Sequence, residues 1–515
     1  MSNNSSSNVE TKIICRELEA GTLIPFLFLD PENRPNNVVL CAETAQKEPT
    51  PAIPKGDLDS SQYCTVVFDS EKKRYRMWYG GWDSSNVEKY EEANGKYKFR
   101  PCYAESDDGK NWEKPNLGIA EHKGSTKNNY LAYRSLHPKS VLLDEQEQDP
   151  RKRFKSVHTW SGNQRITYSE DGLHWYESEE KPIKGPGLAG FHESMCFFTD
   201  PNARDPEKRF MLYSQASNPT KPTPINTILS KPMIGNKKYS TPGSNRRKIG
   251  VAFGKKETSL KIYPELVLDP DDALEEQIHS ICVLPYEGYY LALYEFTRFN
   301  TEWRVDLCDM RLAVSRDGLN FNRIDNQVPV IPLGKQGSWD DGSIVSPNQP
   351  IKIGNELVIY YAGGNREAGL CGVTDSDYGR IYNGNTWELG RATIPYNTIS
   401  CIRVSQWQLS GSFRSDPFIM GKIPPQYLEV NFSSKPVRMG AGDPKSAVKL
   451  SIVDEKGNHL AECSKAEHLN TPSKNKKSVL FNFPRGEMNI SENTKFYIQI
   501  SINDSYFGVC SINAY

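Results

Sequence analysis

Ser169-Glu170-Asp171-Gly172-Leu173-His174-Trp175 is one of three copies of a single pattern, Ser-x-Asp-Gly-x-x-aromatic. The others are Ser106-Asp107-Asp108-Gly109-Lys110-Asn111-Trp112 and Ser315-Arg316-Asp317-Gly318-Leu319-Asn320-Phe321. Each follows a short run that reads as a strand: Cys102-Tyr103-Ala104, Ile166-Thr167-Tyr168 and Leu312-Ala313-Val314. Asp-Gly supplies the residue with positive φ that a tight hairpin turn needs, and the serine and aspartate oxygens can bond the turn backbone. The aromatic then opens the returning strand and packs over the turn. A hairpin that recurs along a chain marks a radial or stacked β-architecture.

Ser106 and Ser169 lie 63 residues apart; Ser169 and Ser315 lie 146 apart, close to two such periods with one degenerate unit between. A second pattern runs in phase. It reads Asp69-Ser70-Glu71-Lys72-Lys73-Arg74-Tyr75, then Asp149-Pro150-Arg151-Lys152-Arg153-Phe154, then Asp205-Pro206-Glu207-Lys208-Arg209-Phe210. In each copy a strand ends in an acidic turn, and a basic pair leads into an aromatic strand. Shorter turns at Tyr286-Glu287-Gly288-Tyr289 and Gly354-Asn355-Glu356 play the same part. Five units therefore fit between residues 57 and 395, which predicts an all-β chain with a five-bladed β-propeller. WD40 and kelch repeats are shorter and their signatures are missing, which argues against seven blades.

Downstream the texture changes. Val448/Leu450/Ile452 and Phe496/Ile498/Ile500/Ile502 alternate apolar with polar residues, and Lys456-Gly457 reads as a turn. Residues 396–515 are expected to form a C-terminal β-sandwich with a structural role, and residues 1–56 a polar tail followed by a strand that joins the propeller. The Pro-, Asn- and Lys-rich stretch from residue 215 to 249 interrupts the third unit as an insertion. A net charge of −1 gives no reason to expect nucleic acid or an anionic membrane as partner. Eleven dispersed cysteines without metal-type spacing fit reduced thiols better than a disulfide framework. The polar N-terminus lacks a signal-peptide apolar run, so a cytoplasmic protein is expected.

Several further segments carry a family likeness: Phe28-Leu29-Asp30, Tyr75-Arg76-Met77-Trp78-Tyr79, Trp112-Glu113-Lys114-Pro115-Asn116-Leu117-Gly118, Gly337-Ser338-Trp339-Asp340-Asp341-Gly342 and Tyr360-Tyr361-Ala362-Gly363-Gly364. With the Ser-x-Asp-Gly turns, they make the chain resemble the five-bladed propeller glycoside hydrolases, the grouping of families 32, 43, 62, 68 and 117. Within it the chain is similar to the family 32/43-like glycosyl hydrolases of planctomycete-type genomes. The resemblance implies a carbohydrate substrate and polysaccharide or oligosaccharide degradation. It implies no organic cofactor and allows a structural Ca²⁺ at the propeller centre, though no ligand cluster in the sequence demands one. The Trp-Met-Asn-Asp-Pro-Asn-Gly signature of fructan hydrolases is missing, which places invertase and levanase activity outside the expectation.

In such a propeller the first strand of each blade lines a central funnel. Glycosidic cleavage usually needs two carboxyl groups, one as acid and one as base or nucleophile. Carboxylates at strand entrances are thus the candidates, although most such residues cap turns or stay solvated. Glu193, in Phe191-His192-Glu193-Ser194-Met195-Cys196-Phe197, enters an apolar strand whose burial would raise its pKa toward that of a general acid. Asp340 or Asp341 would be the ionised partner and Glu276 a third acid. Asp57 and Asp59 sit in a Lys-Gly-Asp-Leu-Asp-Ser loop and read mainly as turn residues, with Asp59 retained as a substrate contact. His137, His192 and His279 stand at three strand entrances and could bind sugar hydroxyls. Trp160 and Trp339 are candidate sugar platforms, and Arg298 could hold an acidic sugar or phosphate. The primary expectation is a glycoside hydrolase. A non-catalytic sugar-binding propeller, a glycoside phosphorylase and, more weakly, an interaction scaffold are the alternatives.

Overall fold

The structure, a computed structural model, describes residues 15–53, 60–82, 99–132, 136–160, 163–179, 195–200, 203–216, 233–234, 237–238, 248–268, 276–299, 306–324, 328–365, 387–406, 408–433, 448–466, 478–484, 486–488, 493–503 and 508–515. Among these residues the regular structure is strand, with three-residue 3-10 turns and no α-helix, so the chain is all-β. No helix of the described residues is long and apolar enough to cross a membrane. Most of the insertion within 215–249 lies outside the described residues; the pair Met233–Ile234 and Lys237–Lys238 is antiparallel.

Among the described residues five antiparallel sets of strands follow one another, the fourth and fifth joined in one nine-stranded sheet. The first comprises Ser60–Asp69, Arg74–Trp82 and Phe99–Ser106, and the second Leu142–Leu143, Phe154–Trp160, Asn163–Ser169 and Tyr176–Glu177. The third comprises Cys196–Thr199, Phe210–Ala216, Lys248–Gly254 and Lys261–Ile262, and the fourth Glu276–Tyr286, Tyr289–Phe299, Asp306–Ser315 and Asn322–Arg323. In the fifth, Ser343–Val345, Glu356–Gly364 and Trp387–Pro395 are completed by Gln46–Lys47 from the N-terminal segment. One parallel pair, Cys308 facing Ser343, joins the fourth set to the fifth.

The leading strands converge on two adjacent residues. Asn348 donates its backbone N–H to Cys64 O at 2.8 Å, and its side-chain amide donates to Val141 O at 3.0 Å and Phe197 O at 3.1 Å. The same side chain accepts the Phe197 N–H at 2.9 Å, and Gln349 donates to Val283 O at 2.6 Å. The end of the fifth set's leading strand thus reaches the leading strands of the first four.

The Ser-x-Asp-Gly turns fasten neighbouring sets together. In all three, the serine Oγ accepts the glycine N–H, at 3.0 Å for Gly109 and 2.9 Å for Gly172 and Gly318. The aspartate Oδ1 accepts the next two backbone N–H groups at 2.8 Å each. The glycine carbonyl points outward to an aromatic on the middle strand of the preceding set. Trp78 Nε1 donates to Gly172 O at 2.7 Å, Tyr213 OH to Gly318 O at 2.7 Å, and Tyr360 OH to Gly109 O. The last of these packs the fifth set on the first. Glycine is required twice over: φ is +68° to +74°, and a Cβ at Gly172 would stand 2.7 Å from the Trp78 ring.

The second repeat does similar work. Asp69 is fully buried against Arg76 at 3.0 Å from its own set and Arg153 at 2.8 Å from the next. Asp144 likewise holds Lys155 at 3.0 Å and Arg209 of the next set at 3.0 Å. Burial would raise the Asp69 pKa, but the Arg153 and Lys72 hydrogen bonds and the two guanidinium charges outweigh it and hold it at about 2.

Beyond residue 396 two further sheets share one apolar core. Val38–Ala42, Ser400–Val404, Val509–Ala514, Tyr427–Phe432 and Ser478–Asn482 pair in that order, with Leu23–Pro25 also on Val509–Ala514. Opposite them run Gly411–Arg414, Tyr497–Ile502, Val448–Val453 and His459–Cys463. The alternation seen in sequence puts Val448, Leu450, Ile452, Phe496, Ile498, Ile500 and Ile502 in the core. Two strands of these sheets come from the N-terminal segment, which patterning within residues 396–515 could not reveal.

Candidate active site

The entrance to the fourth set's leading strand is irregular. Ile278 faces Phe296 and Ile281 faces Tyr294, so His279 and Ser280 together oppose Glu295. Such a bulge re-aims side chains and breaks the simple alternation of faces. His279 Nδ1 lies 2.6 Å from Glu295 Oε2. Ser346 donates both its N–H and its hydroxyl to Glu295 Oε1 at 2.7 Å each. Lys139 Nζ, fully buried, lies 3.8 Å from Oε1 and donates to the hydroxyls of Ser346, at 2.7 Å, and Ser280. Burial alone would raise the Glu295 pKa; the charge and hydrogen bond of His279, the Lys139 ammonium and the Ser346 N–H outweigh it and hold it at about 2. An ionised carboxylate on Nδ1 makes that nitrogen the donor and leaves Nε2 for a ligand. The ring is 16% exposed.

The first two sets contribute beside this network. The leading strand of the first set also bulges, between Gln62 and Cys64, and the extra residue, Tyr63, has φ +51°. A bulky residue in the left-handed region is an outlier held by its surroundings, a condition common at functional sites. The Tyr63 ring lies 5.4 Å from that of His137. His137 precedes the 3-10 turn Pro138–Ser140, and its carbonyl accepts the Ser140 N–H and hydroxyl at 3.0 Å each. Its Nδ1 is buried with no hydrogen-bond partner among the described residues. Burial drives the imidazole pKa down to about 3, and the Lys139 and His158 charges push the same way. His137 is therefore a neutral ring with an unused polar atom.

Other sequence candidates are placed as follows. Glu193, His192, Asp57 and Asp59 lie outside the described residues, as do the side chains of Glu276, Arg298 and Trp160. Glu276 and Arg298 occupy facing register positions. Met195, Cys196 and Phe197, just after Glu193, are fully buried. Asp340 Oδ2 accepts Lys47 Nζ at 2.6 Å and the Tyr361 hydroxyl at 2.9 Å, while Oδ1 accepts the Ser338 hydroxyl at 3.0 Å. Both oxygens are thus taken up by protein, and the ion pair pins Gln46–Lys47 to the fifth set. Asp341 accepts the Gly337 N–H at 2.5 Å. Trp339 stacks on Tyr361 at 5.7 Å and covers Gly363 and Gly390, where added methyl groups would meet its ring at 2.5 and 2.6 Å.

Sequence reading missed Glu295, Lys139, Ser280, Ser346 and Tyr63. The signal for Glu295 was a lone charge in Leu291-Ala292-Leu293-Tyr294-Glu295-Phe296, on a middle strand rather than at an entrance. A cavity of about 190 Å³ is lined by residues such as Thr65, Leu142, Thr199 and Asn348, none of which belongs to the His279 network.

No protein-family model and no curated protein matches the sequence. Similar solved structures include a fructofuranosidase from Schwanniomyces occidentalis, at 11% identity and TM-score 0.37 over 95% of this chain and 98% of that one. A family 117 glycoside hydrolase from Zobellia galactanivorans is 12% identical, with TM-score 0.39 over 69% of this chain and 91% of that one. An N-acetylgalactosamine deacetylase from F. plautii, in complex with blood group B trisaccharide, is 15% identical, with TM-score 0.40 over 70% and 96%.

Proposed function

We propose that this chain is a glycoside hydrolase built on a five-bladed β-propeller at residues 57–395, with a β-sandwich formed by residues 396–515 and strands of the N-terminal segment. The convergence of leading strands on Asn348 and Gln349 and the packing of the first set on the fifth support the ring. The substrate site is the funnel mouth above Lys139 and Glu295. The observation that carries this reading is the Glu295 network: segments of three different sets bring His279, Lys139 and Ser346 to one buried carboxylate. A buried charge so fully paired orients the groups above it. His279, fixed through Nδ1, and His137, neutral with an unused nitrogen, are the assigned contacts for sugar hydroxyls. Glu193 is the assigned acid, entering an apolar strand; Glu276 and Asp341 are the candidate ionised partners. The contacts of Asp340 support an anchoring role instead. The substrate is an oligosaccharide or polysaccharide fragment.

One observation favours a second reading, a sugar-binding propeller without turnover. Glu295, the carboxylate of the described network, is buried with its oxygens engaged and cannot itself reach a glycosidic bond. A panel of glycans and aryl glycosides separates the two, with wild type, Glu193→Gln and His279→Gln assayed with and without phosphate. Cleavage that falls by about 10²–10⁴-fold in Glu193→Gln while glycan binding persists is the expected result. Loss of a sugar contact in His279→Gln should raise KM more than it lowers kcat. Dependence on phosphate would make the enzyme a phosphorylase. Binding without turnover in wild type would establish the second reading, and a folded protein that neither binds nor cleaves any glycan would refute both.

A further inference from the structure

Three cysteines stand in line across neighbouring strands of the larger C-terminal sheet. Cys41 on Val38–Ala42 faces Cys401 on Ser400–Val404. Ile402 faces Val509, and the antiparallel register carries Cys401 opposite Cys510. Glu43 lies two residues beyond Cys41, where its N–H continues the ladder to Ile399 O at 3.0 Å. Its Oε1 accepts the Cys401 thiol at 2.9 Å, Arg403 at 2.6 Å and the Ser433 hydroxyl at 2.7 Å. Ligand atoms of Glu43, Cys401 and Cys510 all lie within 4.8 Å of one another, and the three residues are 4%, 0% and 1% exposed. The backbone makes room for the sulfur: a Cβ at Gly508 would stand 2.6 Å from Cys401 Sγ.

We propose that Cys401, Cys510 and Glu43 form a binding site for a thiophilic divalent cation, Zn²⁺ being the fitting ion. Two sulfur donors and one carboxylate oxygen suit zinc and disfavour the hard cations Ca²⁺ and Mg²⁺. Tetrahedral bonds of about 2.0–2.3 Å place donor atoms roughly 3.5–3.8 Å apart, so the cluster needs to contract by only about 1 Å. Charge also closes. Two thiolates and a carboxylate beside the Arg403 guanidinium sum to minus two, which one divalent ion neutralises. Binding forms two metal–sulfur bonds and sends the two thiol protons to solvent, so affinity rises with pH. Water or Cys41 completes the coordination. Because the ligands come from the N-terminal segment and from both ends of the C-terminal part, the ion staples three distant stretches of sequence.

Titration of the reduced full-length protein with Co²⁺, a spectroscopic substitute for Zn²⁺, tests the site. The expected result is one equivalent bound with a near-ultraviolet thiolate-to-cobalt charge-transfer band, two protons released per ion, displacement by Zn²⁺, and a higher Tm with metal. Cys510→Ser should weaken binding by more than the roughly 10–100-fold typical of losing an outer-shell partner, and Glu43→Gln should weaken it while keeping the band. If those variants fail to fold, X-ray absorption on zinc-loaded wild type decides, with two sulfur neighbours expected. A sulfur-free zinc shell, or no charge-transfer band at saturating Co²⁺, would overturn the proposal. So would hydrogen peroxide converting Cys401 and Cys510 to a disulfide in a protein that binds no metal.

Discussion

Asn348 answers for the backbone of three leading strands through one side chain and its own peptide group. Leucine at this position would leave Val141 O, Phe197 O and the Phe197 N–H buried without their partner. Each such orphan costs about 1–3 kcal/mol, so Asn348→Leu should lower unfolding free energy by roughly 3 kcal/mol or more, read from the denaturant midpoint. Titratable residues set the pH response. Glu295, held at about 2 in the fold, stabilises the protein in full above its unfolded value of about 4.3, and this contribution disappears as pH falls toward 2. Asp69 adds to the same window, being also held at about 2. His137 acts higher. The unfolded chain takes up a proton near pH 6.5 that the folded ring refuses until about 3, so stability falls across that interval as acid is added. His137→Gln should flatten the loss between about pH 6 and 4 and leave the steeper arm below it, in acid-unfolding curves followed by fluorescence. None of these environments was legible in the sequence, because Glu295 sits on a middle strand and a bulge turns His279 toward it.

The Ser-x-Asp-Gly turn is the element whose chemistry the sequence disclosed most fully. The positive φ of glycine, the serine bond and the aspartate cap all follow from the four letters. The receiving aromatic does not, because Trp78 precedes Gly172 by 94 residues and belongs to the preceding set. Two glycines separate these contributions. Gly337 has φ +86° and open space where an added methyl would sit, so Gly337→Ala should cost about 1–2 kcal/mol of backbone strain alone. Gly172→Ala adds contact with Trp78 at 2.7 Å and should cost clearly more in the same thermal or chemical unfolding assay. The closing strand Gln46–Lys47 gives a sharper test of site assignment. Lys47→Met removes the cation from a buried Asp340 and should destabilise by about 3 kcal/mol, with turnover unchanged in the protein that remains folded. If Asp340→Asn instead abolished turnover at near-normal stability, Asp340 would return to the catalytic set.

The whole molecule is tied through its N-terminal segment. Leu23–Pro25 and Val38–Ala42 lie in the sheets of the C-terminal part, and Gln46–Lys47 lies in the fifth set, all before the first set begins. Residues 396–515 alone therefore lack two strands and the core residues Leu18, Ile24, Phe26 and Val38. That fragment should remain unfolded by circular dichroism and proton NMR dispersion, and should gain structure when residues 15–47 are restored by fusion. A well-dispersed spectrum from the fragment alone would show that those strands are dispensable.

Local chemistry is what the sequence by itself determined. Turn type follows from Asp-Gly, and strand content from alternation and aromatic runs. Each depends on residues a few positions apart, where covalent geometry restricts the choices. Only the tertiary structure decided which side chains meet. Cys41, Cys401 and Cys510 align because of sheet order, Lys139 reaches Glu295 because leading strands converge, and Asp340 turns to Lys47 because the chain's beginning closes its last set. Those contacts join residues more than a hundred positions apart. Strand pairing selects them through backbone hydrogen bonds that every residue carries alike, so they leave no mark in the local pattern.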